Sequence, residues 1–203
     1  MPARRRLVLA SASPARLGLL VGAGFAPEVV VSGVDEDAVT APDLPALLAL
    51  LAEAKATAVA ARPGVAGAVV VGCDSLLDVD GEAHGKPASI EEARARLRRL
   101  RGRSAVLRTG HHVIDTATGR SASAVASTEV RFGRFDDAEL EAYLATGEAG
   151  LVAGSFTLDG RSAPFVDGIV GDHANVIGLS LALLRRLLAE LDLKVMDLWA
   201  DAP

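Results

Sequence analysis

The chain has 203 residues, of which 50% are hydrophobic but only 3% aromatic, and alanine accounts for much of the difference. This length suffices for one well-buried domain and is too short for two comfortable ones. The formal net charge of -5 argues against a general affinity for nucleic acid polymers or anionic membranes. A single cysteine, Cys73, excludes an internal disulfide framework.

The apolar segments are too short to act in a membrane or as a leader. The longest, around residues 44–52, is shorter than a bilayer span and is followed by Glu53 and Lys55. The three arginines at residues 4–6 precede an apolar run of residues 7–10 only, which is too short for the apolar region of a secretory signal. We therefore expect a cytoplasmic protein that does not contact membranes.

Helix and strand signals alternate irregularly, which predicts the α/β class with a mixed, twisted sheet rather than a doubly wound parallel one. Ser13, Ser89 and Asp136 are expected to cap helices, and Glu92 is expected to complete a capping box with Ser89. The expected helices cover residues 14–23, 44–61, 89–102, 136–147 and 179–191. The expected strands cover residues 7–10, 28–32, 68–74, 76–79, 105–115 and 122–132, with an acidic loop at 33–42 and short strands across 150–170. The strand-rich middle predicts a second lobe, with a cleft between the two.

The most informative segment is residues 69–75, a run of β-branched residues that ends in Gly-Cys-Asp-Ser. The run predicts a buried strand with Asp74 at its end, where open α/β sheets bind their ligands. A hairpin turn at residues 80–81 would bring the chain back toward Lys86. A carboxylate and an ammonium across a short hairpin suit a phosphate ester with a divalent cation. The alternative is a Ser/Asp pair that only begins a turn.

Two further segments carry site signals, and each has a plain structural alternative. Residues 11–16 combine the N–H groups of a helix N-terminus with the hydroxyls of Ser11 and Ser13 and the Arg16 guanidinium, which together suit an anion. An ordinary helix cap beside a solvated arginine explains the same segment. Glu36, in the acidic loop, could supply an oxygen ligand to Mg²⁺, although a solvated loop explains it as well.

Lysine is rare in this chain. Only three of the 21 basic residues are lysines, namely Lys55, Lys86 and Lys194. A chain biased so strongly toward arginine is expected to keep lysine where a compact ammonium is needed, as at a phosphate. Lys194 lies in the tail and is set aside, which leaves Lys55 and Lys86 as candidates.

Other site signals fail on their spacing. Asp78 opens a segment that imitates the nucleophile motif of aspartyl phosphatases, but Glu82 stands where Thr or Val is required. His111 and His112 are adjacent strand residues, so their side chains point to opposite faces and cannot share a metal. Cys73 lies in an apolar strand and is expected to be a buried hydrophobe rather than a nucleophile.

Taken together, the segments resemble successive motifs of the Maf family, in the family's order. The motifs are residues 11–16 (SASPAR), 34–36 (VDE), 54–56 (AKA), 73–75 (CDS), 85–87 (GKP), 102–103 (GR), 109–110 (TG), 128–130 (TEV), 143–147 (YLATG), 153–154 (AG), 159–160 (DG) and 175–179 (NVIGL). The resemblance covers residues 7 to about 191, which predicts a single Maf-like domain over 1–203 with 192–203 as a tail. The set resembles an actinobacterial-type branch, in keeping with the Ala/Arg-rich composition.

The resemblance implies a cytoplasmic nucleoside triphosphate pyrophosphatase that splits the α–β phosphate linkage. Because a triphosphate carries about four negative charges, we expect Mg²⁺ or Mn²⁺ to assist the basic residues in binding it. It also implies an elongated two-lobed α/β fold with a central cleft, similar to the inosine triphosphate pyrophosphatases. Clearance of non-standard nucleotides and a link to cell division arrest would be consistent with the family. The alternative is a nucleotide-sensing division regulator that acts through a protein partner. A homodimer is left open.

The resemblance also implies roles for individual residues. It places the family's catalytic aspartate on Asp74 and an acidic position on Glu36, and we expect these two carboxylates to bind the metal. It places phosphate-binding positions on Ser11, Arg16, Lys55 and Lys86, to which the anion site at residues 11–16 adds Ser13. Three positions tied to substrate choice depart from the commonest pattern, with Ala15 for the first arginine of S-x-S-P-R-R, Ser75 for threonine and Asp159 for glutamine. These departures predict a broader nucleotide profile than that of a strict thymidine or uridine triphosphate enzyme.

Overall fold

Within residues 5–200, which are the residues that this computed structural model describes, seven strands form one mixed sheet. In chain order the strands are β1 (Leu7–Leu9), β2 (Glu28–Val29), β3 (Val69–Val79), β4 (Glu82–His84), β5 (Ser104–Asp115), β6 (Arg120–Phe132) and β7 (Val166–Val170). The sheet order is β2-β1-β3-β5-β6-β7, and β4 pairs with β3. β1 is parallel to both of its neighbours, β2 and β3. β4 is antiparallel to β3, and β7 is antiparallel to β6. The predicted mixed α/β class is confirmed.

Six helices accompany the sheet in the described part of the chain. They are α1 (Pro14–Gly22), α2 (Leu44–Ala60), α3 (Ile90–Leu100), α4 (Asp137–Leu144), α5 (His173–Ile177) and α6 (Leu181–Glu190). Five of them begin at a side chain that accepts a hydrogen bond from the backbone N–H three residues ahead, which confirms the predicted caps. The capping residues are Ser13, Asp43, Ser89, Asp136 and Ser180. No helix within residues 5–200 is both long and apolar enough to cross a membrane.

Three sequence predictions about strands were wrong. The two strands expected at 68–74 and 76–79 are one eleven-residue strand, β3, because the chain continues to pair with β4 as far as the hairpin turn. The strand expected at 28–32 is only the two-residue β2. The short strands expected across 150–170 are three 3-10 turns and β7. Gly154 and Ser155 have positive φ angles, which a strand cannot accommodate.

The chain divides into two compact units, and each is described by itself. The first contains residues 5–74, 109–126 and 178–200, and the second contains 75–108 and 127–177. Residues 1–4 and 201–203 lie outside the described range. The predicted domain over 1–203 is therefore described without its two ends, and the predicted tail over 192–203 without its last three residues. The elongated shape and the central cleft stay predictions.

In the first unit, the side chains of β1 and β3 alternate between two helical layers. Leu7, Leu9 and Val71 pack in a cluster with residues of α1 and α6, whereas Val8 and Val70 pack in another with residues of α2. This period of two is what a strand with both faces buried requires. It follows that Gly72 and Asp74, the next even-numbered residues, lie on the face toward α2.

The second unit has a separate apolar core. Strand residues such as Leu77 and Val130 pack there with Leu97 of α3 and Leu140 of α4. Phe132 and Phe156 stack edge-to-face, with their ring centroids 4.8 Å apart. The hairpin between β3 and β4 extends from this core. Its two turn residues, at positions 80 and 81, both have positive φ, as a tight two-residue hairpin turn requires.

Helix α2 lies directly on the backbone of the sheet at two glycines. A Cβ on Gly72 of β3 would lie 2.3 Å from the Ala52 carbonyl oxygen and 2.8 Å from the Ala56 nitrogen. A Cβ on Gly110 of β5 would lie 2.1 Å from the Leu48 carbonyl oxygen. Only glycine permits this approach, so these two positions set the distance between helix and sheet.

We expect Gly72→Ala to lower the free energy of unfolding by about 1–3 kcal/mol or more, since the new methyl would meet helix backbone that cannot rotate away. Urea denaturation measures the change. The control is Gly18→Ala on α1, where nothing lies within 4 Å of the added Cβ and a gain of roughly 0.5–1 kcal/mol is expected. A Gly72→Ala protein as stable as the parent would contradict the close helix–sheet contact.

Candidate active site

A buried ion pair forms where α2 approaches β3. Lys55 follows Ala52 by three residues, so the two side chains are neighbours on the surface of the helix. Asp74 lies on the same face of the strand as Gly72. The close contact at Gly72 therefore brings Lys55 Nζ to 2.5 Å from Asp74 Oδ1. The two side chains are only 8% and 11% exposed.

A second carboxylate reaches the same ammonium from the loop after β2. Lys55 Nζ is 2.7 Å from Glu36 Oε1, and the Glu36 side chain is 54% exposed. One buried cation thus stands between a buried anion and an exposed one. A buried charge is tolerated only when it is paired, so Lys55 and Asp74 each stabilise the other in this position. Glu36 supplies a second acceptor on the solvent side.

Asp74 lies in the middle of β3 and not at the end of a strand, so that prediction was wrong. The strand continues past Asp74 because its second half is paired with β4. This position in the strand also affects how rigidly the Asp74 side chain is held. A side chain in the middle of a paired strand is held more rigidly than one at a strand end, and a reacting carboxylate benefits from that rigidity.

The carboxylates of Asp74 and Glu36 fit a divalent cation. Both converge on one point that already holds a cationic group, and carboxylate oxygens are the ligands that Mg²⁺ and Mn²⁺ prefer. Mg²⁺ commonly binds through one or two carboxylates and keeps several waters. Within residues 5–200, no group of three or more His, Cys, Asp or Glu side chains is placed to hold a metal ion.

Arg16 is buried and binds protein acceptors from three separate segments. Its Nε donates to the Gly178 carbonyl at 2.8 Å. Its Nη1 donates to the Cys73 carbonyl at 2.9 Å and to Ser11 Oγ at 3.1 Å. The guanidinium thus links three segments. These are the Cys73 backbone directly before Asp74, Ser11 before α1, and Gly178 before α6. Sequence reasoning missed this bracing role, and the predicted phosphate-binding role stays a prediction.

The two serines of residues 11–16 take part in the same local network. Ser13 Oγ accepts from the Arg16 backbone N–H at 3.4 Å, which is the predicted helix cap. Ser11 Oγ accepts from the Ser13 backbone N–H at 3.2 Å in addition to its bond with the guanidinium. Ala15, on the first turn of α1, is half-buried. Phosphate binding by the serines and substrate selection at Ala15 stay predictions.

The other three predicted site residues belong to the second unit. Ser75 follows the catalytic candidate within β3 and is half-buried. Lys86 is exposed on the loop after β4, and among residues 5–200 no hydrogen bond or ion pair engages its ammonium. Asp159 is exposed on a later loop, where its carboxylate accepts a hydrogen bond from the Thr157 hydroxyl.

The competing site signals find ordinary structural explanations. Burial raises the pKa of the Cys73 thiol to about 11, so it is the buried hydrophobe that was predicted. Asp78 accepts two hydrogen bonds from Arg108, at 3.0 and 3.1 Å, and is therefore engaged in an ion pair. His111 and His112 bond to different segments, His111 to the start of α6 and His112 to a serine of β6.

Comparison with known proteins identifies the family of this chain. The model of the family described as "Maf-like protein" matches residues 6–191. A nucleoside triphosphate pyrophosphatase of Streptomyces coelicolor is 68% identical over 200 residues, covering 98% of this chain and 97% of the relative. Proteins of the same name from Streptomyces avermitilis and Synechococcus elongatus are 64% and 49% identical, and each alignment covers at least 95% of both chains. The protein thus belongs to the Maf family, as its order of motifs predicted.

Proposed function

We propose that this chain is a nucleoside triphosphate pyrophosphatase that hydrolyses the α–β phosphate linkage and releases a nucleoside monophosphate and pyrophosphate. The observation that carries the proposal is the contact of one buried ammonium, Lys55, with the carboxylates of Asp74 and Glu36. Relatives that cover nearly the whole chain bear the same name. The reaction is a hydrolysis of an acid anhydride.

The charges explain why these groups suit a triphosphate. A triphosphate carries about four negative charges, so its binding requires cations, and the candidates are Lys55, Lys86 and Arg16. Arginine and lysine stabilise the charge that builds on phosphate oxygens during in-line attack. When bound by Asp74 and Glu36, Mg²⁺ or Mn²⁺ would neutralise phosphate charge and make water a stronger acid.

In this proposal Asp74 is the proton acceptor. Lys55 contacts its Oδ1, which fixes the carboxylate and leaves Oδ2 as the oxygen that takes the proton of the attacking water. The position of Oδ2 is set by a paired strand and by an ion pair, so little reorganisation is needed in the transition state. Glu36, more exposed, would hold the metal or orient the water from the solvent side.

We propose that the protein acts on free nucleotides in the cytoplasm, without binding nucleic acid polymers or membranes, in line with its net charge of -5. The alternative, a nucleotide-sensing division regulator, would keep the cationic groups but would not need Asp74 to bind a protein partner. Loss of catalysis in an otherwise folded Asp74 variant therefore separates the two functions.

We expect Asp74→Asn to lower the turnover number by roughly 10²-fold or more, because the amide keeps the size of the side chain but cannot accept the proton or hold the metal as a carboxylate does. The measurement is pyrophosphate release at saturating nucleotide, with circular dichroism to verify folding. Asp78→Asn, the same change on the same strand, is the control and should turn over near the parent rate. Turnover near the parent rate by folded Asp74→Asn would assign catalysis to another residue.

Lys86→Ala tests whether the lysines meet the phosphates. The side chain is exposed, so its loss should leave stability unchanged while raising KM and lowering kcat, since phosphate charge grows in the transition state. Lys194→Ala, which removes an exposed lysine of the tail, is the matched control.

Lys55→Ala should have the same kinetic effects as Lys86→Ala. It should also lower the free energy of unfolding by about 3–5 kcal/mol, because it leaves the buried Asp74 carboxylate unpaired. Hydrolysis unaffected by Lys86→Ala, together with loss of a partner interaction, would favour the regulator.

Substrate choice is expected to be broad. Ala15 presents no polar group, and an ionised Asp159 can only accept hydrogen bonds, so neither gives a donor to a base carbonyl. Strong rejection of a wrong base comes from buried polar groups that it leaves unpaired, and these two positions supply none.

We expect Ala15→Arg combined with Asp159→Gln to shift the ratio of kcat/KM values toward thymidine and uridine triphosphates, because both changes add hydrogen-bond donors. Competing-substrate assays across the common nucleoside triphosphates measure the ratio. Ala15→Met with Asp159→Gln is the control, since it fills similar space without the guanidinium. The account fails if the parent already prefers those two substrates by about a hundredfold, which is nearly 3 kcal/mol.

A further inference from the structure

One ion pair on α3 holds the loop that carries Lys86 from both sides. Arg96 and Glu92 are four residues apart on the helix, and Arg96 Nη2 is 2.5 Å from Glu92 Oε1. Neither residue was among the predicted site residues. Both belong to the same compact unit as Lys86.

On the N-terminal side of Lys86, the pair fixes the Gly85 carbonyl. Arg96 Nη1 donates to the Gly85 oxygen at 2.7 Å, and the Gly154 backbone N–H donates to the same oxygen at 3.1 Å. This carbonyl belongs to the peptide unit that enters Lys86. Two donors on one carbonyl leave that peptide little freedom to rotate.

On the C-terminal side, the pair fixes the Ala88 backbone. Glu92 Oε2 accepts from the Ala88 N–H at 2.8 Å, while its other oxygen binds Arg96. The predicted capping box would have Glu92 reach back to the Ser89 N–H, but the carboxylate goes one residue further. That extra step places the contact two residues after Lys86, so the backbone is held both immediately before and shortly after this lysine.

Arg96 is itself anchored in the interior. Its side chain is only 4% exposed, and Nη1 also donates to Ser155 Oγ at 3.1 Å. Ser155 is fully buried with a φ of 67°, and its carbonyl accepts from the Tyr143 hydroxyl at 3.1 Å. Within residues 5–200, Arg96 Nε is buried without a hydrogen-bond partner.

We propose that the Arg96–Glu92 pair positions Lys86 for the phosphates of the substrate without touching the substrate itself. The inference rests on the proposed function, in which Lys86 binds phosphate. The Lys86 ammonium stands on a flexible stem and is exposed. A fixed backbone reduces the volume that the ammonium explores, and catalysis by charge depends steeply on such placement. Arg96 and Glu92 are therefore positioning residues and not catalytic ones.

The test is a double-mutant cycle between Arg96→Met and Lys86→Ala. Methionine keeps much of the length of the arginine side chain but cannot bond to Gly85 or Glu92. In the parent background we expect Arg96→Met to reduce kcat/KM by about tenfold, because the ammonium loses its fixed position. In the Lys86→Ala background the same change should reduce kcat/KM by less than about twofold, since no ammonium remains to be placed.

Arg94→Met is the matched control. It lies on the same helix, and its guanidinium forms a surface ion pair with Glu141. We expect it to leave kcat/KM near the parent value in both backgrounds. Thermal unfolding of each variant verifies that the fold is kept.

If Arg96→Met does not fold, Glu92→Ala tests the same positioning role. The Glu92 side chain is 45% exposed, so its removal is compatible with folding, and it releases the Ala88 contact directly. It should show the same dependence on Lys86 as Arg96→Met. Glu92→Gln should recover part of the activity, because its amide oxygen still accepts from the Ala88 N–H.

The outcomes separate this proposal from the proposed function. If the folded Arg96 or Glu92 variant lowers kcat/KM equally in both backgrounds, or in neither, the positioning role is wrong while the role of Lys86 stands. If Lys86→Ala alone leaves kinetics unchanged, the phosphate role of Lys86 fails and the positioning role fails with it. A loss confined to the background that retains Lys86 supports both.

Discussion

The close contact between α2 and the sheet is the constraint on which the site depends. Gly72 lets the helix backbone rest on β3, and Gly110 does the same on β5. A methyl group at either position would push the helix outward. Lys55 and Asp74 are carried by the two elements that meet there, so their 2.5 Å contact follows from the packing of the backbone. In this protein the geometry of the site is a consequence of glycine in the sheet.

The Lys55 ammonium and the Asp74 and Glu36 carboxylates are already in contact before any ligand arrives. The Lys55 ammonium is buried yet held by two carboxylates, and the exposed one, Glu36, is the easier to displace. A phosphate oxygen or a metal ion entering the site would exchange partners within a set of groups that is already in place. Such preorganisation reduces the reorganisation required during in-line attack on phosphorus. Arg16 contributes by fastening the strand immediately before Asp74.

The sequence predicted best the features that depend on neighbouring residues. The helix caps at Ser13 and Asp136 are local and were confirmed, as was the tight hairpin after β3. The continuous strand through Asp74 was missed because its extent is set by pairing with β4, which the local pattern did not reveal. The non-strand backbone at Gly154 and Ser155 was missed because their positive φ angles depend on surrounding contacts.

The candidate site was predictable to a similar degree. The order of motifs led to Asp74, Lys55 and Glu36, but their mutual contact required the fold. Arg96 was missed because it looks like one of many arginines on a charged helix. The signal was its spacing, since it follows the buried Ala93 by three residues and therefore falls on the buried face of α3.

Turnover in water labelled with ¹⁸O tests the central claim most directly, because it reports which phosphorus atom the water attacks. With the parent enzyme, a nucleoside triphosphate and Mg²⁺, mass spectrometry would locate the label after a single round of hydrolysis. Attack on the α-phosphorus predicts one ¹⁸O atom in the nucleoside monophosphate and none in pyrophosphate. Label in pyrophosphate, or release of a nucleoside diphosphate and orthophosphate, would contradict the account.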